Sequence, residues 1–196
     1  MIRLGLTGSI GMGKSTTALM FRNRGIPVYD ADATVHRLYE NEAAQLIENL
    51  FPGTAVNGQV DREKLGEYVV GNDENMKKLA ALVHPMVHAV EKKFLTAAEN
   101  AGSDIVLLDI PLLFETGGKD RVDKIIVVSA SAEIQRERVL ARENMTIEKF
   151  EAILSKQLPD VQKRKHADYI IDTGKGFEFA EAQVDKILNE LRNKSV

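Results

Sequence analysis

The stretch Gly8-Ser9-Ile10-Gly11-Met12-Gly13-Lys14-Ser15 decides the fold of this chain. It fits the pattern G-x-x-x-x-G-K-[ST], in which glycines let successive backbone N–H groups turn toward phosphate oxygens. An apolar run, Ile2 to Thr7, precedes it; helical patterning follows Lys14 and stops at Gly25, with Pro27 two positions beyond. A fortuitous glycine-rich turn needs no such setting. Here strand, loop and helix agree, so the loop is expected to bind nucleotide phosphates. The backbone of Gly11, Met12 and Gly13 would line them, and the helix beginning near Lys14 adds its positive dipole end. Lys14 would reach the β- and γ-phosphates, Ser15 would ligate magnesium, and Thr16 would face the α-phosphate.

Working outward, four more short apolar runs follow at Ile26 to Tyr29, Ile105 to Leu108, Ile125 to Val128 and Tyr169 to Ile171. Runs that are apolar on both faces and separated by helical segments predict an α/β fold, a five-stranded parallel sheet flanked by helices. About seventy residues of helical pattern between Asp32 and Asp104 are too many for one crossover, which predicts an inserted helical subdomain over 33–100. A second insertion, 131–166, repeats Phe150, Ile153, Leu154 and Leu158 at helical spacing. The core of this single domain is then 1–32, 101–130 and 167–196.

Composition narrows the function. The chain has 196 residues, 44% hydrophobic and 28% charged, enough to bury a core without a metal or disulfide staple. It contains no cysteine, which excludes a disulfide framework, a thiolate zinc site and a cysteine nucleophile. A net charge of −3 argues against a nucleic-acid partner, since phosphate-backbone affinity needs a basic surface. With neither an apolar stretch of about 18 residues nor a signal-peptide pattern, the expectation is a cytoplasmic protein without a membrane partner.

Ligands of open α/β sheets sit beyond the carboxyl ends of the strands, so acidic residues there carry weight. Asp30 and Asp32 follow the second strand and Asp109 ends the third. Either of the first two is suited to take a proton from an acceptor hydroxyl, with Asp32 preferred; the plainer role for one of them is a helix cap. Asp109 would hold magnesium through water, or serve only as a turn aspartate before Pro111. Arg138 and Arg142 are four apart, on one predicted helix face, and would clamp a transferring phosphoryl group if 131–166 closes as a lid. The basic run Lys163-Arg164-Lys165-His166 reads as surface. His84 and His88 lack the Glu of a metalloprotease helix, because Pro85 stands there.

Taken together these residues resemble the dephospho-coenzyme A kinase family from end to end. The resemblance rests on the phosphate loop, Asp30-Ala31-Asp32, Asp61-Arg62 with Leu65, His84-Pro85, and Asp109-Ile110-Pro111-Leu112-Leu113 with Glu115. It continues through Gln135, Arg138 and Arg142, then Gln157 and Ala167-Asp168-Tyr169. It implies a P-loop kinase fold with an acceptor-binding insertion and a helical lid. It also implies the reaction: ATP, with magnesium, phosphorylates the ribose 3′-hydroxyl of dephospho-coenzyme A. Asp32 would be the base, with Lys14, Arg138 and Arg142 on the phosphates. Arg62, the His84-Pro85 turn and Leu112 would join Asp32 on the acceptor side. The chain departs from the family at Met12, at Val70, and at Asp172-Thr173-Gly174, where an asparagine-containing turn is common.

Two rival functions use the same loop. A nucleoside or nucleotide kinase shares the scaffold, and fold alone does not separate it. A nucleotide-switched binding protein would need a guanine-reading Asn-Lys-x-Asp motif, and Asn193-Lys194 is followed by Ser195 and the chain end.

Overall fold

In the computed structural model, which describes residues 1–193, the chain runs β1 (Ile2–Thr7), α1 (Lys14–Asn23), β2 (Val28–Asp30), α2 (Ala31–Glu40), α3 (Ala44–Leu50), β3 (Ala55–Val56), β4 (Gln59–Val60), α4 (Arg62–Val69) and α5 (Asp73–Asn100). It continues through β5 (Ile105–Asp109), β6 (Lys124–Ser129), α6 (Ala132–Leu140), α7 (Ile147–Leu154), α8 (Asp160–Lys165), β7 (Tyr169–Asp172) and α9 (Phe177–Asn193). Asn193-Lys194-Ser195 and the end of the expected core segment 167–196 reach beyond the described residues.

Five strands form one sheet in the order β2-β5-β1-β6-β7. β1 is central and pairs in parallel with β5, Leu6 opposite Asp109, and with β6, Thr7 opposite Val127. Every residue of β5 is buried, as a strand covered on both faces must be. On one face Leu4, Leu6, Leu107, Ile126 and Val128 join Phe21 of α1 and Val184, Leu188 and Leu191 of α9 in one cluster. On β1 a Cβ at Gly5 would meet Leu113 and Val122 at 3.0 Å, so glycine is what admits these side chains there.

The end of α1 follows its sequence signal. Gly25 takes φ +78°, its amide donates to the Arg22 carbonyl and that of Ile26 to Phe21, the paired bonds of a Schellman stop.

The chain divides into two compact units, one of Met1–Tyr29 with the chain from Ala98 onward, the other Asp30–Ala97. Residues 131–166 fall in the first. The second gathers Leu38, Ile47, Phe51, Leu65, Val69, Leu79 and Val83 into a cluster of its own. Two features of it depart from expectation. The helical pattern is interrupted by a hairpin, β3 with β4, turned by Asn57 (φ +53°) and Gly58 (φ +79°), the chemistry of a two-residue hairpin turn. And His84-Pro85 is not a turn: both residues lie inside α5. Proline there removes only its own bond to the Ala81 carbonyl, while Leu79, Val83 and Val90 keep burying one face across it.

Candidate active site

Gly11 and Gly13 both adopt left-handed backbone, φ +80° and +88°, which bends the loop after β1 back into α1. Gly11 is also a close approach: a Cβ there would lie 2.5 Å from Val139 Cγ2 and 3.0 Å from the Gln135 carbonyl oxygen. Gly13 caps α1 with no side-chain hydrogen bond, and the first helical bond runs from the Thr17 amide to the Gly13 carbonyl at 3.0 Å. The amides of Lys14, Ser15 and Thr16 therefore precede the helical ladder and remain donors for an anion. The Ser15 and Thr16 side chains are exposed.

Lys14 Nζ lies 2.6 Å from Asp109 Oδ1, and the two side chains are only 15% and 3% exposed. The pairing of β1 with β5 brings this about, because it sets the end of β5 beside the loop that leaves β1.

Arg138 of α6 donates through Nη1 to the Thr173 hydroxyl at 3.0 Å and through Nη2 to the Thr173 carbonyl at 2.7 Å. α6 ends before Arg142, whose amide bonds to the Val139 carbonyl, so the expected single helical face does not extend to it. Arg138 and Arg142 nevertheless line the same cleft, of about 230 Å³, with Gly11, Gly13, Thr16 and Phe177. Phe177 is 71% exposed.

The departures at Met12 and Thr173 meet one another. Met12 is buried, its sulfur accepting from the Ala130 amide at 3.1 Å, which explains how the loop carries a large side chain here. Its carbonyl accepts from the Thr173 hydroxyl at 2.8 Å.

Lys163 corrects the sequence reading. Arg164, Lys165 and His166 are exposed, but Lys163 is fully buried with Nζ 2.8 Å from Glu115 Oε1, which also accepts from the Leu158 amide. Burial pushes the Glu115 carboxyl up, yet the Lys163 ammonium and the Leu158 amide together hold it below the usual range. A lysine within a run of four basic residues carries no signal of such burial.

In the second unit Asp30 is a cap, accepting from the Ala33 amide at 2.9 Å. Asp32 lies in the first turn of α2 with its side chain exposed and, among the described residues, with no hydrogen bond or ion pair. Arg62 packs over the Tyr39 ring at 5.5 Å and bonds His36 Nδ1 at 3.1 Å. His84 is exposed on α5 with its ring 6.5 Å from His88. Leu112, in the first unit, is exposed in the turns after β5. The structure thus gathers Gly11, Gly13, Thr16, Arg138 and Arg142 in one cleft and pairs Lys14 with Asp109. Sequence reasoning missed Thr173 and Phe177, although the departing turn after β7 marked their neighbourhood.

Among the described residues no group of three His, Cys, Asp or Glu side chains is arranged to hold a metal. An exposed Ser15 hydroxyl and a buried Asp109 carboxylate suit magnesium that arrives on nucleotide phosphates, since this ion keeps most of its waters and takes few protein ligands.

A sequence-family model described as dephospho-CoA kinase matches residues 2–178. The dephospho-CoA kinase of Mesorhizobium japonicum is 59% identical over 99% of this chain and 98% of its own, and that of Brucella melitensis biotype 1 is 56% identical over 99% and 97%. Among solved structures, a Thermus thermophilus protein superposes with TM-score 0.88 at 36% identity over 97% of both chains. The dephospho-CoA kinase from Campylobacter jejuni gives 0.65 at 25% over 96% of both. A shikimate kinase from Acinetobacter baumannii shares the fold alone, at TM-score 0.52 and 14% identity over 100% and 96%.

Proposed function

The chain belongs to the dephospho-CoA kinase family, and from that membership we propose that it transfers the γ-phosphate of ATP to the ribose 3′-hydroxyl of dephospho-coenzyme A, giving ADP and coenzyme A. The observation that carries this is the single cleft in which the uncapped start of α1, the phosphate-loop glycines and two arginines converge, within a chain that matches the family over residues 2–178.

The 3′-oxygen attacks the γ-phosphorus, the bond to the β,γ-bridging oxygen breaks, and the hydroxyl proton passes to the Asp32 carboxylate. Asp32 presents an exposed carboxylate at the start of the helix after β2, with no hydrogen bond or ion pair among the described residues. Lys14 exchanges its Asp109 contact for the β- and γ-phosphates, and Arg138 and Arg142 offset the charge that develops during transfer. The Ser15 hydroxyl, and Asp109 through water, would hold the magnesium that accompanies ATP, which would supply screening of the phosphate charge. We assign Phe177, exposed at the same cleft, to the nucleotide base.

In this reading residues 33–100 are the acceptor-binding insertion, with Arg62 and His84 as its acceptor residues; Leu112 is assigned to the acceptor separately, and 131–166 is the lid. The partners are the two small-molecule substrates, with no nucleic acid or membrane, in the cytoplasm. No helix among the described residues is long and apolar enough to cross a membrane.

An acceptor panel with ATP and magnesium tests this, scored by kcat/KM and by the position of the new phosphate. Dephospho-coenzyme A should exceed adenosine and AMP, because remote binding energy from the diphosphate and pantetheine arm positions the reacting hydroxyl. Preference for AMP, or phosphorylation at a 5′ position, would make the chain a nucleotide kinase.

A further inference from the structure

The phosphate loop is held from outside at alternate carbonyls. The Ile10 carbonyl accepts from Gln135 Nε2 at 2.7 Å, and the Met12 carbonyl accepts from the Thr173 hydroxyl at 2.8 Å. Each carbonyl belongs to a planar trans peptide whose other polar group is the amide of the next residue, pointing the opposite way. Those next residues are Gly11 and Gly13. Both line the cleft, and both lack the Cβ that ordinarily restrains the rotation of an adjoining peptide. Gln135 and Thr173 are themselves buried, 7% and 8% exposed, so their bonds to the loop are sheltered from competing water.

We propose that Gln135 and Thr173 are positioning residues that keep the Gly11 and Gly13 amides aimed into the cleft as preset donors for an anionic phosphate. The inference rests on the nucleotide reading of that cleft.

A third side chain sorts the remaining loop donors. Gln157 Oε1 accepts from the Ile10 amide at 3.0 Å, and the Ser9 carbonyl accepts from the Met12 amide at 3.1 Å. With the Ile10 and Met12 amides thus engaged within the protein, the Gly11 and Gly13 amides are the loop donors that have no partner among the described residues. Gln135 stands on α6 and Thr173 follows β7, so two separate elements preset adjacent turns of one loop. The Thr173 hydroxyl also accepts from Arg138, which ties the same residue to a cation of the cleft.

The test uses Gln135→Met, Thr173→Val and the conservative Thr173→Ser in the full chain. Two readouts are taken: ADP affinity by calorimetry, and the 15N shifts of the Gly11 and Gly13 amides in the free protein. Those shifts respond to hydrogen bonding at the preceding carbonyl. Gln135→Met should move the Gly11 signal and Thr173→Val the Gly13 signal. Each should weaken ADP binding about tenfold, the worth of one hydrogen bond to a charged group. Thr173→Ser should stay within about twofold, and KM for dephospho-coenzyme A should be unchanged in all three. Unmoved amide signals, or unchanged ADP affinity in both disruptive variants, would overturn the proposal. So would equal losses for ADP and dephospho-coenzyme A accompanied by a lower Tm, which is the mark of a merely structural role. A wild-type chain that does not bind ADP overturns the nucleotide reading instead, and the amide shifts of the free protein still judge the pinning of the loop.

Discussion

Lys14 Nζ lies 2.6 Å from Asp109 Oδ1, so the cation assigned to the nucleotide's phosphates also faces an anion of the protein itself. The pair solves two problems. Each charge offsets the desolvation of the other, the lysine side chain being 15% exposed and the carboxylate 3%. On the function proposed above, nucleotide binding would be an exchange in which Lys14 trades the Asp109 oxyanion for those of the phosphates.

Lys14→Ala should abolish most turnover, an electrostatic loss of about 3 kcal/mol in the transition state. It also takes the cation from a buried carboxylate, so the free protein should lose about 1–3 kcal/mol of stability. Steady-state rates and thermal melts on the same preparation check both halves. Near-native turnover would remove Lys14 from the phosphate site.

Asp32→Asn should cut kcat by about 10²- to 10⁴-fold with little change in ATP affinity, because the amide keeps the side chain's size but takes no proton. Asp30→Asn should do less, since an amide oxygen still accepts from the Ala33 amide. Kinetics that reverse this order would make Asp30 the base.

Glu115 supplies a pH test. Its folded carboxyl is held below the ordinary value of 4.5 by Lys163 and the Leu158 amide, outweighing burial, which pushes it up. A lowered folded value means stability that is present above the unfolded value and lost as pH falls through the folded one. Lys163→Met should therefore destabilise at neutral pH and flatten this acid-side loss below about pH 4.5, while Arg164→Met, at an exposed position, should change neither. Melts from pH 3 to 7 compare them, and equal behaviour of the two variants would rule out the buried pair as a stabilising link.

Hydrogen exchange should divide the 131–166 segment. α6 is tied to the loop by Gln135 and to Thr173 by Arg138, whereas α7 has one buried side chain, Phe150. Residues 143–156 should gain more protection than α6 when ATP and acceptor are added together. Equal protection of 143–156 in the free and doubly bound states would eliminate closure by this part of the chain.

By itself the sequence determined the parallel sheet, the loop that leaves its central strand and the stop of α1, because each depends on local rules. Periodicity, positive-φ glycines and the need of a helix start for an anion all act within a few residues of one another. Local rules also made Asp30 a cap, and Asn57-Gly58 held a hairpin signal within the helical pattern. Only the tertiary structure decided that Lys163 is buried while its three basic neighbours are not, that Lys14 meets Asp109, and that Gln135 and Thr173 reach the carbonyls on either side of Gly11. Those partners are brought together by strand order and helix packing. A residue's contact with one 95 or 161 positions away leaves no periodic trace in the chain, because it arises from where whole elements come to rest.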